Sequence, residues 1–341
     1  MKKILYLFII TILIINTISY VNVSANSDYY NIKEAIKIGN AYMQALADED
    51  IDTISKLSIN KINNLNDVEI NKINGFILDE YSESTDYTYL DYLTVRNQQN
   101  KIDADLDKIS LKVIKDKNDY KIEKIKAKNA KEVYVNNQEL RFKDSETGKS
   151  KLLLRKKDLP KDAYPKKDQV VLAKEDVPNG EFHNLIINYL GDKIGLCVDG
   201  DNKSYIALAI IEESKDTIAE GNQEKSGNSN DIEKLEDAIE SPIINKIVSY
   251  DILDGYVVDN MVFSGDNSIL VVQLSKDNKT TIRIYKNPNG EIEEYGLEQV
   301  ININNNILID KSIKEGVIIK VEDNNLTKYI INTDKKKIMK L

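Results

Sequence analysis

Apolar residues recur at helical spacing in NIKEAIKIGNAYMQALA, residues 31–47. Ile32, Ala35, Ile36, Tyr42, Met43 and Leu46 fall on one face of a 3.6-residue period, which predicts an amphipathic helix. Asn31, with Glu34 three residues on, has the capping-box pattern. DEDIDTISKL then predicts a turn and a second short helix, capped by Asp50, with Ile51, Ile54 and Leu57 facing inward. After Gly75 the apolar period falls to two. FILDEY, YTYLDYLTVR, KISLKVIK and DYKIEKI are short and rich in β-branched and aromatic residues. Ile109, Leu111 and Val113 share one face, Tyr120 and Ile122 share one on the partner strand, and DKND at 116–119 supplies the turn. Residues 29–128 are thus expected to form an α+β unit, helices followed by a curled antiparallel sheet.

From about residue 130 the pattern predicts an all-β unit, 130–341, of repeated hairpins. Four stretches resemble one another: 140–154, 189–208, 263–284 and 316–331. Each has an alternating apolar run, a polar turn and a second run. The middle two match best, with aromatic-x-Gly-Asp, an apolar strand and then Asp-Asn-Lys-Ser/Thr. The turns at Lys149, Lys203, Lys279 and Asn325 are 54, 76 and 46 residues apart. The long interval holds a polar Gly/Ser/Asn-rich segment, expected as a disordered insertion at about 212–241. Without it the spacing comes near a propeller-blade period.

Two resemblances follow. The helix ending in AYMQALADEDIDTISKL, with the strands and the closing KDKNDYKIEKI hairpin, resembles the nuclear transport factor-like (cystatin-like cone) fold over about 100 residues. That likeness implies a fold and no activity. Enzymes of the fold usually place His and Asp in the cone, and this stretch has no histidine. FSGDNSILVVQLSKDNKTTIRIYKNPNGEI resembles a blade of the TolB-type β-propellers, with Gly265 and Asn267 where those blades carry proline and glycine. It implies propeller-like hairpins; a half-propeller, an open stack or a sandwich would share the periodicity.

The chain opens MKKILYLFIITILIINTISYVNVSA, with two lysines, an apolar run and small residues at Ser24 and Ala25. It reads as a secretory signal peptide, residues 1–25, cleaved after Ala25. An uncleaved membrane anchor is the rival reading. Removing those lysines takes the formal charge from −9 to −11. An acidic chain with scattered lysines does not suit nucleic acid. One cysteine allows no internal disulfide.

No catalytic, cofactor or metal set emerges. His183 and Cys197 are the single histidine and cysteine and trace no nucleophile–base pair; His183 is expected at a strand edge and Cys197 in packing. They cannot supply a zinc site. DGDNKS (199–204) and FSGDNS (263–268) lack the glycine and bidentate glutamate of a calcium loop and read as turns. Asp79, Glu80, Glu83 and Asp86 offer carboxylates for a glycosidase, in a chain where acids are abundant. Tyr81, Tyr87, Tyr89 and Tyr92 crowd twelve residues and are the candidate ligand contacts, because tyrosine joins an apolar body to a polar tip. The competing role for them is to fill the cone. The expectation is a secreted, non-catalytic cell-envelope protein that binds or scaffolds an envelope protein, peptide or glycan. The alternatives are a carboxylate-dependent hydrolase of wall glycan, and small-ligand capture in the N-terminal cone.

Overall fold

The computed structural model describes residues 30–63, 72–97, 101–166, 173–211, 240–302, 304–323 and 325–341. The expected signal segment and all but the last two residues of the expected insertion lie outside these. The first helix, α1 (Ile32–Asp48), buries Ala35, Gly39, Tyr42, Met43 and Leu46, as the period requires. Its cap is simpler than a capping box. Asn31 accepts from Lys33 N, while Glu34 turns to Lys37, 3.7 Å away. The second helix, α2 (Ile51–Leu57), is capped by Asp50, which accepts from the backbone and hydroxyl of Thr53.

Six antiparallel strands follow in sequence: β1 (Gly75–Glu83), β2 (Tyr87–Asn97), β3 (Asp103–Asp116), β4 (Asp119–Asn136), β5 (Glu139–Asp144) and β6 (Ser150–Arg155). The expected boundary between 128 and 130 falls inside β4. That strand continues because Lys131–Asn136 finds a partner in β5. The hairpin predicted at 140–154 is β5–β6, and it extends this first sheet rather than starting a new one.

Beyond it, β7 (Asp162–Ala163) pairs with β8 (Glu175–Asp176). A four-stranded antiparallel sheet contains β9 (Glu181–Ile187), β10 (Lys193–Gly200), β11 (Lys203–Ile211) and β12 (Ile244–Asp254). A three-stranded sheet holds β13 (Val257–Phe263), β14 (Ile269–Lys276) and β15 (Lys279–Lys286). Last come β16 (Asn306–Ile313), β17 (Gly316–Glu322), β18 (Thr327–Asn332) and β19 (Lys337–Lys340). The other three predicted hairpins are β10–β11, β14–β15 and β17–β18. Two of them turn on Asp201–Asn202 and Asp277–Asn278, all four residues at positive φ. That is the geometry Asp and Asn tolerate in a two-residue hairpin turn.

The leading strands meet in a ring. β9 touches β2, β3 and β13; β13 touches β16; and β16 joins β1 through one parallel pairing, Gly75 with Ser312. One core lies between the first sheet, the β9–β12 sheet and the β13–β15 sheet. A second joins β13–β15 to β16–β19. A third lies between the helices and the other face of the first sheet, filled by Tyr42, Met43, Ile54, Leu90 and Tyr92. Gly39 lets α1 approach that closely: a Cβ there would overlap Leu90 and come 2.7 Å from the Tyr92 hydroxyl.

Two buried charges tie the layers. Lys311 of β16 is 1% exposed and pairs with Asp48 at the end of α1. Asp251 of β12 is fully buried and accepts from Lys166 N, Ile252 N, Arg283 and the Tyr285 hydroxyl, at 2.6–2.9 Å. Every oxygen of such a buried carboxylate must be satisfied this way for its burial to be tolerable.

Candidate functional site

The alternation of β2 divides the four tyrosines. Thr88, Leu90, Tyr92 and Thr94 point to the helices; Tyr87, Tyr89, Asp91 and Leu93 point away. Tyr92 is fully buried, donates to Asn40 at 2.9 Å and meets Phe76 edge-on. Burial pushes its hydroxyl pKa up. Tyr81 of β1 stands opposite Leu90, on the helix-side face, and is 54% exposed. Tyr87 and Tyr89 form a pair on the other face, ring centres 5.4 Å apart and nearly perpendicular. The four therefore make no single patch. Tyr87 and Tyr89 remain as a surface pair, and Tyr92 belongs to the core.

Lysines surround that pair. Lys112 lies 4.6 Å over the Tyr87 ring and reaches Glu123 at 2.6 Å. Lys108, on the same face of β3, is held by Glu80 at 2.8 Å and Asp91 at 3.3 Å, contacts that raise its pKa. Directly across the ladder, Lys108 faces Lys128, Ser110 faces Lys126 and Lys112 faces Lys124. Opposed residues share a face, so Lys124, Lys126 and Lys128 form an exposed row on the same face as Tyr87 and Tyr89, with β3 between them. Among the described residues, no carboxylate lies within ion-pair distance of these three. Their stretch of β4 is an open edge, since β5 begins pairing only at Lys131. The row runs into a cleft of about 550 Å³ whose walls include Lys128, Lys131 and Lys151, the carboxylates Asp144 and Glu146, and Ser145. Ser145 Oγ is buried there and has no hydrogen-bond partner among the described residues. The lysines are thus not scattered as the sequence suggested. KIEKIKAKNAK alternates lysine with other residues, but only the register with β3 assembles the face.

His183 and Cys197 meet at one carboxylate, a convergence the sequence does not reveal. Cys197 Sγ donates to Asp199 Oδ1 at 3.1 Å, Ser204 Oγ reaches the same oxygen at 2.6 Å, and His183 Nδ1 is 3.5 Å from Oδ2. Burial, and then Asp199, raise the Cys197 thiol well above its ordinary value. This is the reverse of what activates a nucleophilic thiolate. His183 lies 46% exposed at the rim of a cavity of about 270 Å³ with Asp103, Asn184 and Asp259.

Asp79, Glu80, Glu83 and Asp86 are all exposed, at the far end of β1 and its turn. The buried acids lie elsewhere. Arg96 pairs with Asp105 at 3.1 Å and Asp107 at 2.5 Å, and Asn129 donates to both. Burial pushes the Asp105 carboxyl up to about 6, against the pull of Arg96. In FSGDNS, Asp266 accepts from the hydroxyls of Ser264 and Ser268 and from Ser268 N, so its oxygens serve the turn.

No family model and no curated protein matches the chain. Among solved structures it is similar to Kluyveromyces lactis Hsv2, with 11% identity over 77% of this chain and 72% of that one, TM-score 0.31. It is also similar to the β-propeller domain of Cps50 (Swd1) from Myceliophteria thermophila, with 8% identity, 75% and 81% covered, TM-score 0.28. A putative 6-phosphogluconolactonase from Bacteroides uniformis shares 11% identity, with 83% and 86% covered and a TM-score of 0.26. These likenesses are too slight to carry an argument about function.

Proposed function

We propose that this protein is an extracytoplasmic binding module of the cell envelope. In this reading a cone-like, helix-covered sheet and propeller-like hairpin repeats form a rigid body, and the outward face of β2–β4 contacts an envelope partner. The observation that carries it is the Tyr87–Tyr89 pair, part-buried and edge-to-face, with Lys112 over the Tyr87 ring, on the end of the sheet face that lies beyond the part covered by β9 at Leu93, Val95 and Leu106. A pair of aromatic rings held in one geometry offers contact area at little entropic cost. The exported location is supported by the n-region, apolar run and small-residue cut site at 1–25.

The test is co-sedimentation of the purified chain with isolated envelopes. Tyr87→Ala/Tyr89→Ala should lose retention by about tenfold or more, as anchors of a contact surface do, while its circular dichroism is unchanged. Retention equal to wild type would remove this face from the proposal.

A further inference from the structure

We propose that Lys124, Lys126 and Lys128 bind a linear phosphate-bearing polymer laid along β4. This deepens the reading of the tyrosine–lysine face as the contact surface and rests on it. Three observations favour that occupant. The first is spacing. Alternate residues of a strand project on one face at intervals of about 6.7 Å, so the row presents three cations at a regular step on a stiff support. A polymer with one phosphate per short repeat offers charges at a matching step. The second is pairing. Lys108 and Lys112 are engaged by Glu80, Asp91 and Glu123, whereas the row has no carboxylate in reach among the described residues.

The third is the kind of cation. The chain has four arginines, and Arg96, Arg141, Arg155 and Arg283 are all paired with carboxylates of the chain itself. Planar guanidinium suits bidentate carboxylate pairs; lysine is a compact charge with rotatable donors and takes a tetrahedral phosphate in any orientation. The cleft at the end of the row adds Lys131 and Lys151 to Lys108 and Lys128, against the two carboxylates Asp144 and Glu146 that also line it. The strand edge beside the row is unpaired, which leaves room for a chain running parallel to it. Lysines on an open edge also discourage strand-to-strand aggregation. That role alone predicts no affinity for a polyanion.

The experiment is titration of the whole chain with synthetic poly(glycerol phosphate), followed by fluorescence anisotropy at several salt concentrations. Wild type should bind, with affinity falling as salt rises. Lys124→Gln/Lys126→Gln/Lys128→Gln should lose at least about tenfold at low salt, and its log–log salt slope should shrink by about 2, as removal of three phosphate contacts requires. The control Lys335→Gln/Lys336→Gln/Lys337→Gln makes the same change of charge at exposed positions elsewhere and should keep wild-type binding. Absence of wild-type binding, an unaffected row variant, or an equal loss in the control overturns the proposal. So does equal affinity for poly-L-glutamate, or tighter binding of a single-stranded oligonucleotide. If envelope retention depends on Tyr87 and Tyr89 but poly(glycerol phosphate) does not bind, the contact face stands and this assignment of its ligand falls.

Discussion

On one face of the β2–β4 sheet, Leu90, Tyr92, Ile109, Leu111 and Val113 lie under α1; on the other, Tyr87, Tyr89, Lys112, Lys124 and Lys126 face outward. The same strands supply both sets at alternate positions. The covered face pairs its charges internally, Arg96 with Asp105 and Asp107. The open face keeps cations in excess. Substitutions on the covered face should therefore change stability, and those on the open face should change association. The sharpest contrast lies within one residue type. Tyr92→Ala removes a fully buried ring and should cost about 3–5 kcal/mol, as large-to-small core changes do. Tyr87→Ala removes a part-buried ring at the surface and should cost less, about 1 kcal/mol. Urea unfolding of the two variants measures both, and equal costs would break the distinction between the faces.

Gly39 sharpens the contrast from the helix side. In an exposed helix, Gly→Ala would stabilise by about 1 kcal/mol. Here the new methyl meets Leu90 and the Tyr92 hydroxyl, and overpacking costs about 1–3 kcal/mol. The clash wins, so Gly39→Ala should lower stability by about 1 kcal/mol net. A raised melting temperature would mean that α1 leaves room for a methyl group between Gly39 and Leu90.

How much of this was legible before the structure depends on whether the deciding partner was local. α1 was readable because its own 3.6 period marks its buried face and Asn31 its start. The Asp-Asn hairpin turns were readable because their conformation is set by the residues in them. Counting parity along YTYLDYLTVR would also have separated Tyr87 and Tyr89 from Tyr92. The length of β4 was not readable, because its second half is held by β5. Nor was the closure of β16 on β1, a single pairing between residues far apart in sequence. The Lys124–Lys126–Lys128 alternation stands in the sequence, but its place opposite Lys112 and Lys108 does not; that, the Arg96–Asp105–Asp107 cluster and the approach of His183 to Asp199 depend on cross-strand register.

The smallest expected effect tests the internal pairing itself. Burial, with repulsion from Asp107 and Asp103, outweighs Arg96 and holds the folded Asp105 carboxyl at about 6 rather than the usual 3.8. Between those values the folded chain keeps a proton that the unfolded chain has released. Lowering the pH from 7 to 5 should thus stabilise the fold through this residue, by about 1 kcal/mol. Asp105→Asn cannot titrate and lacks that contribution. The stability difference, wild type minus variant, should therefore become about 1 kcal/mol more favourable to wild type at pH 5 than at pH 7. Urea unfolding at the two pH values gives the number. A change of opposite sign would mean that Arg96 outweighs burial at Asp105 and that the covered face is stabilised by its ion pairs at neutral pH. The contrast with the open face would then lie in packing alone.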